Sequence, residues 1–263
     1  MATKRDAETP APETVSGANG IGPDTPRLIV AGGRGKVGKS SWLRWAIEEN
    51  IARGGAPVIA DGDRTNPTLT AVCPQATRPS SAEDEDVRDW LNALIEDQIE
   101  TRRTVFLDLG GGDTTLKRWS RNLDLANFLP QHGIAPVLLH VLGSDIDDLA
   151  YLRDLETVYA PKHTAIVLNE GMVPSGRSPL AAFETVLSNE IFQRARSRGA
   201  AVVKMPRLGC MQDVDGRRIG FADAEAGNVK PGQEKLGPVR RQMVAMWRRE
   251  MAACTAPIAQ WIM

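Results

Sequence analysis

The chain has 263 residues, 42% of them hydrophobic, and its 32 lysines and arginines nearly balance its 33 aspartates and glutamates. This length and apolar content predict one compact α/β domain, with or without extensions, that buries a substantial core. The net charge of -1 excludes a global attraction to nucleic acid or anionic lipid, so binding of either kind must come from a local patch.

Cysteine spacing and hydropathy further limit the kind of protein that this sequence encodes. Cys73, Cys210 and Cys254 lie far apart without a C-x-x-C pair, which argues against a zinc or iron–sulfur site and fits a reducing cytosol. No stretch approaches about 18 consecutive apolar residues, and the N-terminus lacks the apolar core of a signal peptide. We therefore expect a cytoplasmic protein.

The ends of the chain are predicted to be tails around a domain at 27–254. Residues 1–26 are rich in Ala, Thr, Pro, Glu and Gly and have almost nothing apolar to bury, which is typical of disorder. Residues 255–263 form the second predicted tail. The first strand is Arg27–Ala31, a short apolar run of the kind found in buried parallel sheets.

A glycine-rich motif follows that strand. Residues 28–41 read LIVAGGRGKVGKSS, which contains the P-loop pattern G-x-x-x-x-G-K-S. Its glycines let successive N–H groups point at one anion, Lys39 places a positive charge near the β- and γ-phosphates, and the Ser40 hydroxyl can ligate Mg²⁺. A plain glycine turn is the alternative, disfavoured by the strand before the motif and the helix after it. The predicted phosphate-binding residues are Gly33, Arg34, Gly35, Lys36, Val37, Gly38, Lys39, Ser40 and Ser41.

Aspartates end the next two predicted strands. Pro57–Ala60 runs into Asp61-Gly62-Asp63, at the strand end where α/β sheets place their chemistry. Thr104–Leu109 contains Asp108, and an apolar strand closed by aspartate is the Walker B pattern, whose carboxylate holds Mg²⁺ directly or through water. An ordinary strand end is the alternative. Glycines 110–112 then offer a backbone N–H to the γ-phosphate, or make a plain turn.

The remaining segments alternate between helix and strand. Residues 64–81 form a long loop, interpreted either as a nucleotide-sensing or partner-binding segment or as an ordinary surface excursion. Alternation of at least six strands with helices predicts a doubly wound, mostly parallel sheet with helices on both faces. Predicted helices cover 40–53, 83–99, 116–128, 145–158, 178–198 and 238–254, and the later strands cover 135–142, 163–168 and 200–204.

The segments GGRGKVGKSS, IADGD, FLDLGGGD, VLNE and VKMPRLG, in that order, resemble the ParA/MinD family of P-loop ATPases. That family includes plasmid-partition, division-site-positioning and conjugation-associated proteins, and the resemblance covers residues 27 to about 250. It implies that Asp63 positions the attacking water and that Asp61 lies near Mg²⁺. It also implies that Asn169 recognises adenine and that Pro206 borders the base.

Two positions depart from the family pattern K-G-G-x-G-K-[ST]. In that pattern the first lysine reaches across a dimer to the partner's phosphate, and Arg34 stands in its place. Because arginine can grip phosphate with a bidentate fork, we expect Arg34 to act catalytically in trans. Lys36 replaces a glycine and adds a side chain where the backbone comes close to phosphate. Slow or absent hydrolysis is therefore an expected alternative.

The leading hypothesis is a switch that binds Mg²⁺-ATP, closes as a homodimer over two nucleotides and reopens on hydrolysis assisted by Asp63 and Lys39. Two alternatives stay open: a metabolic ligase or synthetase that activates a small carboxylate with ATP, and a nucleotide-sensing module with a degenerate, non-hydrolysing site. A GTPase is disfavoured because VLNE lacks the N-K-x-D motif.

Partners are predicted from arginine clusters and from the loop and tail. Non-specific DNA binding, as in the family, is one interpretation of the arginines, and a solvated face is the other. For the last helix, with Trp247 among its arginines, we favour packing over a membrane anchor. An unidentified protein partner would be recognised by residues 64–81 or by the N-terminal tail. The arginines are Arg194, Arg198, Arg240, Arg241, Arg248 and Arg249.

Overall fold

Six apolar segments form one sheet in the computed structural model, which describes residues 20–111 and 114–263. The strand order is β2-β3-β1-β4-β5-β6, and every neighbouring pair runs parallel. This arrangement confirms the predicted parallel sheet. The strands are β1 (Arg27–Gly32), β2 (Val58–Asp61), β3 (Val105–Asp108), β4 (Ala135–Leu142), β5 (His163–Asn169) and β6 (Ala201–Met205).

Helices cover both faces of this sheet. They are α1 (Lys39–Ala52), α2 (Thr68–Val72), α3 (Asp84–Thr101), α4 (Thr115–Leu123), α5 (Leu125–Gln131), α6 (Asp148–Glu156), α7 (Pro179–Ser188), α8 (Glu190–Ser197), α9 (Met211–Arg217), α10 (Phe221–Ala226) and α11 (Pro238–Thr255), with 3-10 helices at Glu170–Met172 and Ala256–Trp261. In the described part of the chain, no helix is long and apolar enough to cross a membrane.

Side-chain alternation along β1 shows how the two layers form. Ile29 and Ala31 pack in the core beneath α1, α9, α10 and α11. Leu28 and Val30 point the other way, into the core beneath α3, α4 and α5. Successive residues of a strand face opposite sides, so a strand covered on both faces must be apolar throughout. The helices on both faces confirm the doubly wound α/β fold.

Several predicted helix boundaries are wrong, each for a local reason. The predicted helix 116–128 is two helices, because Asp124 has a left-handed φ of 46° between them, and Pro130 lies inside α5 rather than ending the first helix. The predicted helix 178–198 breaks at Asn189, whose side chain accepts from the N–H of Ile191 and caps α8. In the predicted loop 64–81 the chain forms the short helix α2.

The predicted N-terminal tail is corrected at its inner end. Ile21 is 7% exposed and belongs to the core under α1. The guanidinium of Arg27 donates to the carbonyl oxygens of Gly22, Thr25 and Gln260 and so ties this segment to the domain. Residues 1–19, which carry the rest of that prediction, lie outside the described residues.

The predicted C-terminal tail is packed rather than free. Ile258, Trp261 and Ile262 are all buried in the core shared with α1 and α11. Asn50 of α1 donates its side-chain amide to the carbonyl of Ile262 at 3.1 Å. Apolar side chains that can reach a core stay ordered, and the domain therefore extends past residue 254.

Candidate nucleotide site

The glycine-rich loop joins β1 to α1 at the carboxyl edge of the sheet. Gly38 precedes α1 with a φ of 101°, and a Cβ there would lie 2.5 Å from Nδ2 of Asn169. Both the left-handed backbone and the contact with Asn169 exclude a side chain at this position. The loop therefore has the turn and the free helix N-terminus that bind phosphate in P-loops.

Lys39 lies in the first turn of α1 with its ammonium folded over the loop. Its side chain is buried and its Nζ donates to the carbonyl of Arg34 at 3.0 Å. Burial lowers the pKa of Lys39, while the carboxylates of Asp108 and Asp63 raise it. The lysine thus lies between the loop that would hold phosphate and two acidic residues.

Asp108 and Ser40 form a pair whose chemistry fits Mg²⁺. Asp108 is 1% exposed, and its Oδ2 is buried without a hydrogen-bond partner among the described residues. Burial raises its pKa to about 7, although a hydrogen bond from Ser40 and the charge of Lys39 oppose the shift. A buried carboxylate oxygen beside a hydroxyl is the donor set of a P-loop magnesium site. The structure thus places two of the three predicted metal residues together.

The third predicted metal residue, Asp61, supports the loop that follows β2. Its Oδ2 accepts from the N–H and the hydroxyl of Thr70, both at 2.8 Å, and its Oδ1 accepts from the N–H of Asp63 at 3.2 Å. These bonds use both carboxylate oxygens, and Asp61 does not line the cleft. Asp61 is in register with Asp108 on the neighbouring strand and so lies beside the Ser40–Asp108 pair, but its oxygens are bonded to the segment that follows β2.

Asp63 does line the cleft that the loop borders. Its Oδ1 accepts from the N–H groups of Thr65 and Asn66 at 2.9 Å, while its Oδ2 has no hydrogen bond within the described ranges. One oxygen thus fixes the side chain and the other is free to accept a proton or to orient a water molecule. This geometry suits the role that the resemblance implies.

The loop after β3 presses against the P-loop. A Cβ on Gly111 would lie 2.2 Å from Cα and N of Gly35, so only glycine allows this approach. The backbone of this loop is thereby held beside the phosphate-binding residues. Gly112 and Asp113, which the sequence groups with it, lie outside the described residues.

Arg34 points away from the cleft towards the start of α6. Its Nη1 lies 3.2 Å from Oδ1 of Asp148 and 3.7 Å from Oδ2 of Asp145. Asp148 is buried, and its Oδ2 also accepts from the N–H of Gly143 at 2.7 Å. Within the protomer, therefore, the predicted trans-acting arginine already has anionic partners.

Lys36 adopts the conformation that explains why the family pattern has glycine there. Its φ of 65° lies in the left-handed region, which costs a residue with a side chain about 1 kcal/mol. The side chain is exposed and lines the cleft, so it adds a cation beside the phosphate-binding loop.

The two residues predicted to border the base have other contacts. Asn169 is 5% exposed; its Nδ2 donates to the carbonyl of Val37 at 2.7 Å, and its Oδ1 accepts from the N–H of Gly171 at 2.9 Å. Pro206 is buried, and its carbonyl accepts from the indole N–H of Trp247 at 2.8 Å. Neither lines the cleft.

The cleft has a volume of about 740 Å³, within the range of about 300–1,000 Å³ typical of small-molecule sites. Of the residues predicted from sequence, it contains Gly35, Lys36, Gly38, Lys39, Ser40, Ser41 and Asp63, but not Gly33, Arg34, Val37, Asp61, Asp108, Asn169 or Pro206. Its far end is formed by α2, by Arg44 of α1, and by Asp215 and Arg218 at the end of α9.

Sequence reasoning missed these far-end residues. Arg44 lies one helical turn after Ser40, and this spacing indicates that both side chains lie on the same face of α1. Asp215 and Arg218 carried no signal, because α9 was not predicted.

The six predicted DNA-binding arginines do not form one surface. Arg194 and Arg198 belong to α8 and the residue after it, whereas the other four belong to α11 on the opposite face of the sheet. Arg248 pairs with Glu49 at 3.3 Å and with Glu225 at 2.5 Å. Charges already paired within the chain contribute less to a phosphate backbone. Further pairs join Arg198 to Glu156 and Arg240 to Asp213.

No protein-family model and no curated protein sequence matches this chain. A chain of the Aquifex aeolicus MinC:MinD cell division protein complex superposes with a TM-score of 0.49 at 12% identity, covering 86% of this chain and 96% of that one. Cell division protein FtsY of Thermotoga maritima gives 0.48 at 17% identity, covering 73% of this chain and 64% of that one. The 54 kDa signal recognition particle protein of Aeropyrum pernix, solved with GDP, gives 0.45 at 14% identity, covering 93% and 51%.

This chain thus spans 64% of the FtsY chain and 51% of the signal recognition particle chain. Similarity at this level carries no argument about function. The α/β fold with a P-loop after β1 is established by the strand order and by the geometry of the loop.

Proposed function

We propose that this protein is an ATP-binding, ATP-hydrolysing dimeric switch of the ParA/MinD type. The observation that carries the proposal is the Ser40–Asp108 pair, with a buried carboxylate oxygen lacking a protein partner among the described residues, beside Lys39 and the phosphate-binding loop. A phosphate loop, a lysine and a hydroxyl–carboxylate pair are the groups that Mg²⁺-nucleotide binding requires.

Each residue has a defined task in this proposal. The N–H groups of residues 35–41 and the ammonium of Lys39 hold the phosphates and neutralise negative charge that develops during transfer. Ser40 and Asp108 would hold Mg²⁺, which would supply positive charge to the phosphate oxygens. Asp63, fixed through its Oδ1, orients the attacking water with its Oδ2. The reaction needs positioning and charge stabilisation, with no covalent intermediate.

Dimerisation is supported by the surface around Arg34. Ile146 and Met172 are exposed apolar side chains, 45% and 44% accessible, close to the ion pairs of Arg34. We assign this surface to the homodimer interface, where Arg34 exchanges Asp148 for the partner's phosphate. Arginine suits this exchange because its planar fork binds carboxylate and phosphate with the same geometry.

Nucleotide binding and hydrolysis by the purified chain test the proposal. We expect Mg²⁺-ATP to bind, phosphate to be released, and light scattering to report a dimer with ATP but not with ADP. Lys39→Ala should lose binding, whereas Lys162→Ala, outside the cleft, should not. Absence of ATP binding by the wild-type protein, with no effect of Lys39→Ala, would refute the proposal.

A nucleotide sensor that does not hydrolyse ATP is the second candidate, favoured by the engagement of Arg34 with Asp148 in the same protomer. It predicts ATP binding without phosphate release. The third hypothesis, a ligase or synthetase, instead predicts phosphate release that depends on an added small carboxylic acid. Steady-state phosphate assays with and without such acids separate all three.

The switch is proposed to act on DNA or a protein partner in partition, positioning or conjugative transfer. Arg194 and Arg249 are exposed and serve as test positions, since Arg248 is held by two glutamates. A gel shift that needs ATP, weakens with salt and weakens with Arg249→Glu supports DNA binding. No shift at low salt excludes it.

A further inference from the structure

The cleft extends well beyond the part that phosphates would fill. Its phosphate end is made by residues 35–41, and its far end by the second turn of α1, by α2 and by the end of α9. These far-end walls come from three separate segments of the chain. The cleft is therefore lined by more of the chain than the glycine-rich loop alone.

The base positions implied by family resemblance lie outside this cleft. The amide of Asn169 already bonds the carbonyl of Val37 and the N–H of Gly171, and the carbonyl of Pro206 already bonds Trp247. These bonds use only part of the hydrogen-bonding capacity of the Asn169 amide, but neither Asn169 nor Pro206 lines the open cleft. The nucleoside half of a nucleotide therefore finds its open volume elsewhere.

Charged side chains line the far end of the cleft. Arg44 is 5% exposed, its guanidinium carbon lies 3.8 Å from the centre of the Phe221 ring, and its Nη2 lies 3.0 Å from Oδ1 of Asp215. The Nε of Arg44 is buried and has no partner among the described residues. The arginine thus holds Asp215 at the rim of the cleft by a charge-assisted bond.

Asp215 and Arg218 remain open towards the cleft. Asp215 is half exposed, and its Oδ2 accepts no hydrogen bond within residues 20–111 and 114–263. Arg218 is exposed at the left-handed end of α9, and the described residues form no ion pair with it. Across the same cleft, Pro67, Leu69 and Val72 of α2 and its cap supply apolar surface.

We propose that this end of the cleft binds the nucleoside, with Asp215 accepting from the ribose hydroxyls and Arg218 lying against a purine base opposite α2. Carboxylates bond ribose hydroxyls in dinucleotide sites, and guanidinium groups stack on aromatic rings. This inference rests on the proposed nucleotide function and assigns Asp215 and Arg218 as determinants of nucleoside affinity.

Binding measurements with paired ligands test the assignment. The probes are ATP, 2′,3′-dideoxy-ATP and inorganic tripolyphosphate, each with Mg²⁺, titrated by calorimetry into wild type, Asp215→Asn and Arg218→Ala. We expect each variant to weaken ATP about tenfold and to leave tripolyphosphate affinity unchanged. Dideoxy-ATP should bind the wild type about tenfold less tightly than ATP, with no further loss in Asp215→Asn.

Controls separate this inference from the function it rests on. Arg121→Ala removes an exposed arginine on the opposite face of the sheet and should bind every probe as the wild type does. Wild-type ATP affinity in both cleft variants, or equal wild-type affinity for ATP and tripolyphosphate, would overturn the nucleoside assignment while the phosphate site stands. If the wild type binds neither ligand, the proposed function fails as well. Since Arg218 is exposed, its variant should fold even where loss of the Arg44 ion pair destabilises Asp215→Asn.

Discussion

Asp61 and Asp108 are paired in register on neighbouring strands, and both are buried, yet they have opposite surroundings. The carboxylate of Asp61 accepts three hydrogen bonds from the segment that follows its strand. Asp108 has a hydrogen bond from Ser40 and an Oδ2 that no described residue satisfies. Asp61 therefore stabilises the segment that follows its strand, whereas Asp108 has an oxygen that can accept a bond from a ligand.

The difference arises from the segment that leaves each strand. After β2 the chain turns back through α2 and brings Thr70 onto Asp61. After β3 the glycines keep the chain pressed on the P-loop, and the described ones supply no side chain to Asp108. Both strands end in aspartate, yet one carboxylate is bonded within the protein and the other keeps an oxygen without a partner among the described residues. Substituting one partner at a time tests this contrast.

The largest effect is expected from Asp61→Asn. The amide group would face donors and leave buried N–H or O–H groups unsatisfied, so the free energy of unfolding should fall by about 3 kcal/mol. Urea denaturation measures it, with Asp97→Asn on the exposed face of α3 as the control. A stability equal to that of the wild type would contradict the structural role of Asp61.

Asp108→Asn should act on binding and not on folding. Losing the free carboxylate oxygen should weaken Mg²⁺-dependent ATP binding on the order of 100-fold. Stability should stay level or rise, because the cost of burying a charge is removed. Calorimetric titration with Mg²⁺ and with EDTA measures the first effect. An equal loss of affinity in EDTA would show that Asp108 does not act through the metal.

Thr70→Val tests the donor of the hydrogen bond to Asp61. The change keeps the shape of the side chain and removes the hydroxyl that donates to Oδ2 at 2.8 Å. We expect the unfolding free energy to fall by about 1.5 kcal/mol. Thr70→Ser should keep most of the stability, and Thr68→Val, on the exposed side of α2, should change little. If Thr70→Val and Thr68→Val lower the unfolding free energy equally, the hydrogen bond from Thr70 to Asp61 does not stabilise the fold.

His140 tests the cost of burying a titratable group on the neighbouring strand β4. Burial lowers its pKa from 6.5 to about 3; the backbone of Asp148 opposes this shift and the charge of Lys39 adds to it. Below pH 6.5 the unfolded state binds a proton at His140 that the folded state does not, so His140 lowers the stability by about 1.4 kcal/mol between pH 7.5 and 5.5. The pKa of Asp108, raised to about 7, changes the stability in the opposite direction over the same range.

Denaturation curves of the wild type and of His140→Leu at these two pH values measure that contribution as the difference between their responses to pH. His140→Leu should abolish it, while His132→Gln at an exposed position should retain it. If the leucine variant responds to acidification as the wild type does, His140 does not make this contribution.

The sequence predicted the sheet and the phosphate end of the site because both depend on local pattern. Strand β4 was predicted at its observed bounds, and Gly38, Lys39 and Ser40 adopt the arrangement that the motif requires. Such features need only a run of apolar residues or fixed spacing between neighbours. The residues predicted to bind phosphate can therefore be found from the sequence without any tertiary information.

The far end of the cleft was not predictable in the same way. Asp215 meets Arg44 across 171 positions of the chain, and Asp61 meets Thr70 through a helix that the sequence presented as loop. Neither contact has a periodicity or a fixed spacing. The family resemblance implied that Asp61 lies near Mg²⁺, and only the fold shows that its oxygens accept from Asp63 and Thr70.

Helix α1 connects the glycine-rich loop to α10 and α11, which pack in the same layer. Its first turn carries Ser40, its second carries Arg44 against Phe221, and its third carries Glu48, which accepts from the N–H groups of Phe221 and Ala222 at the start of α10. Glu49 then holds Arg248 of α11. These contacts link the start of α1 at the glycine-rich loop to α10 and α11, so a tilt of α1 would act on both of these helices.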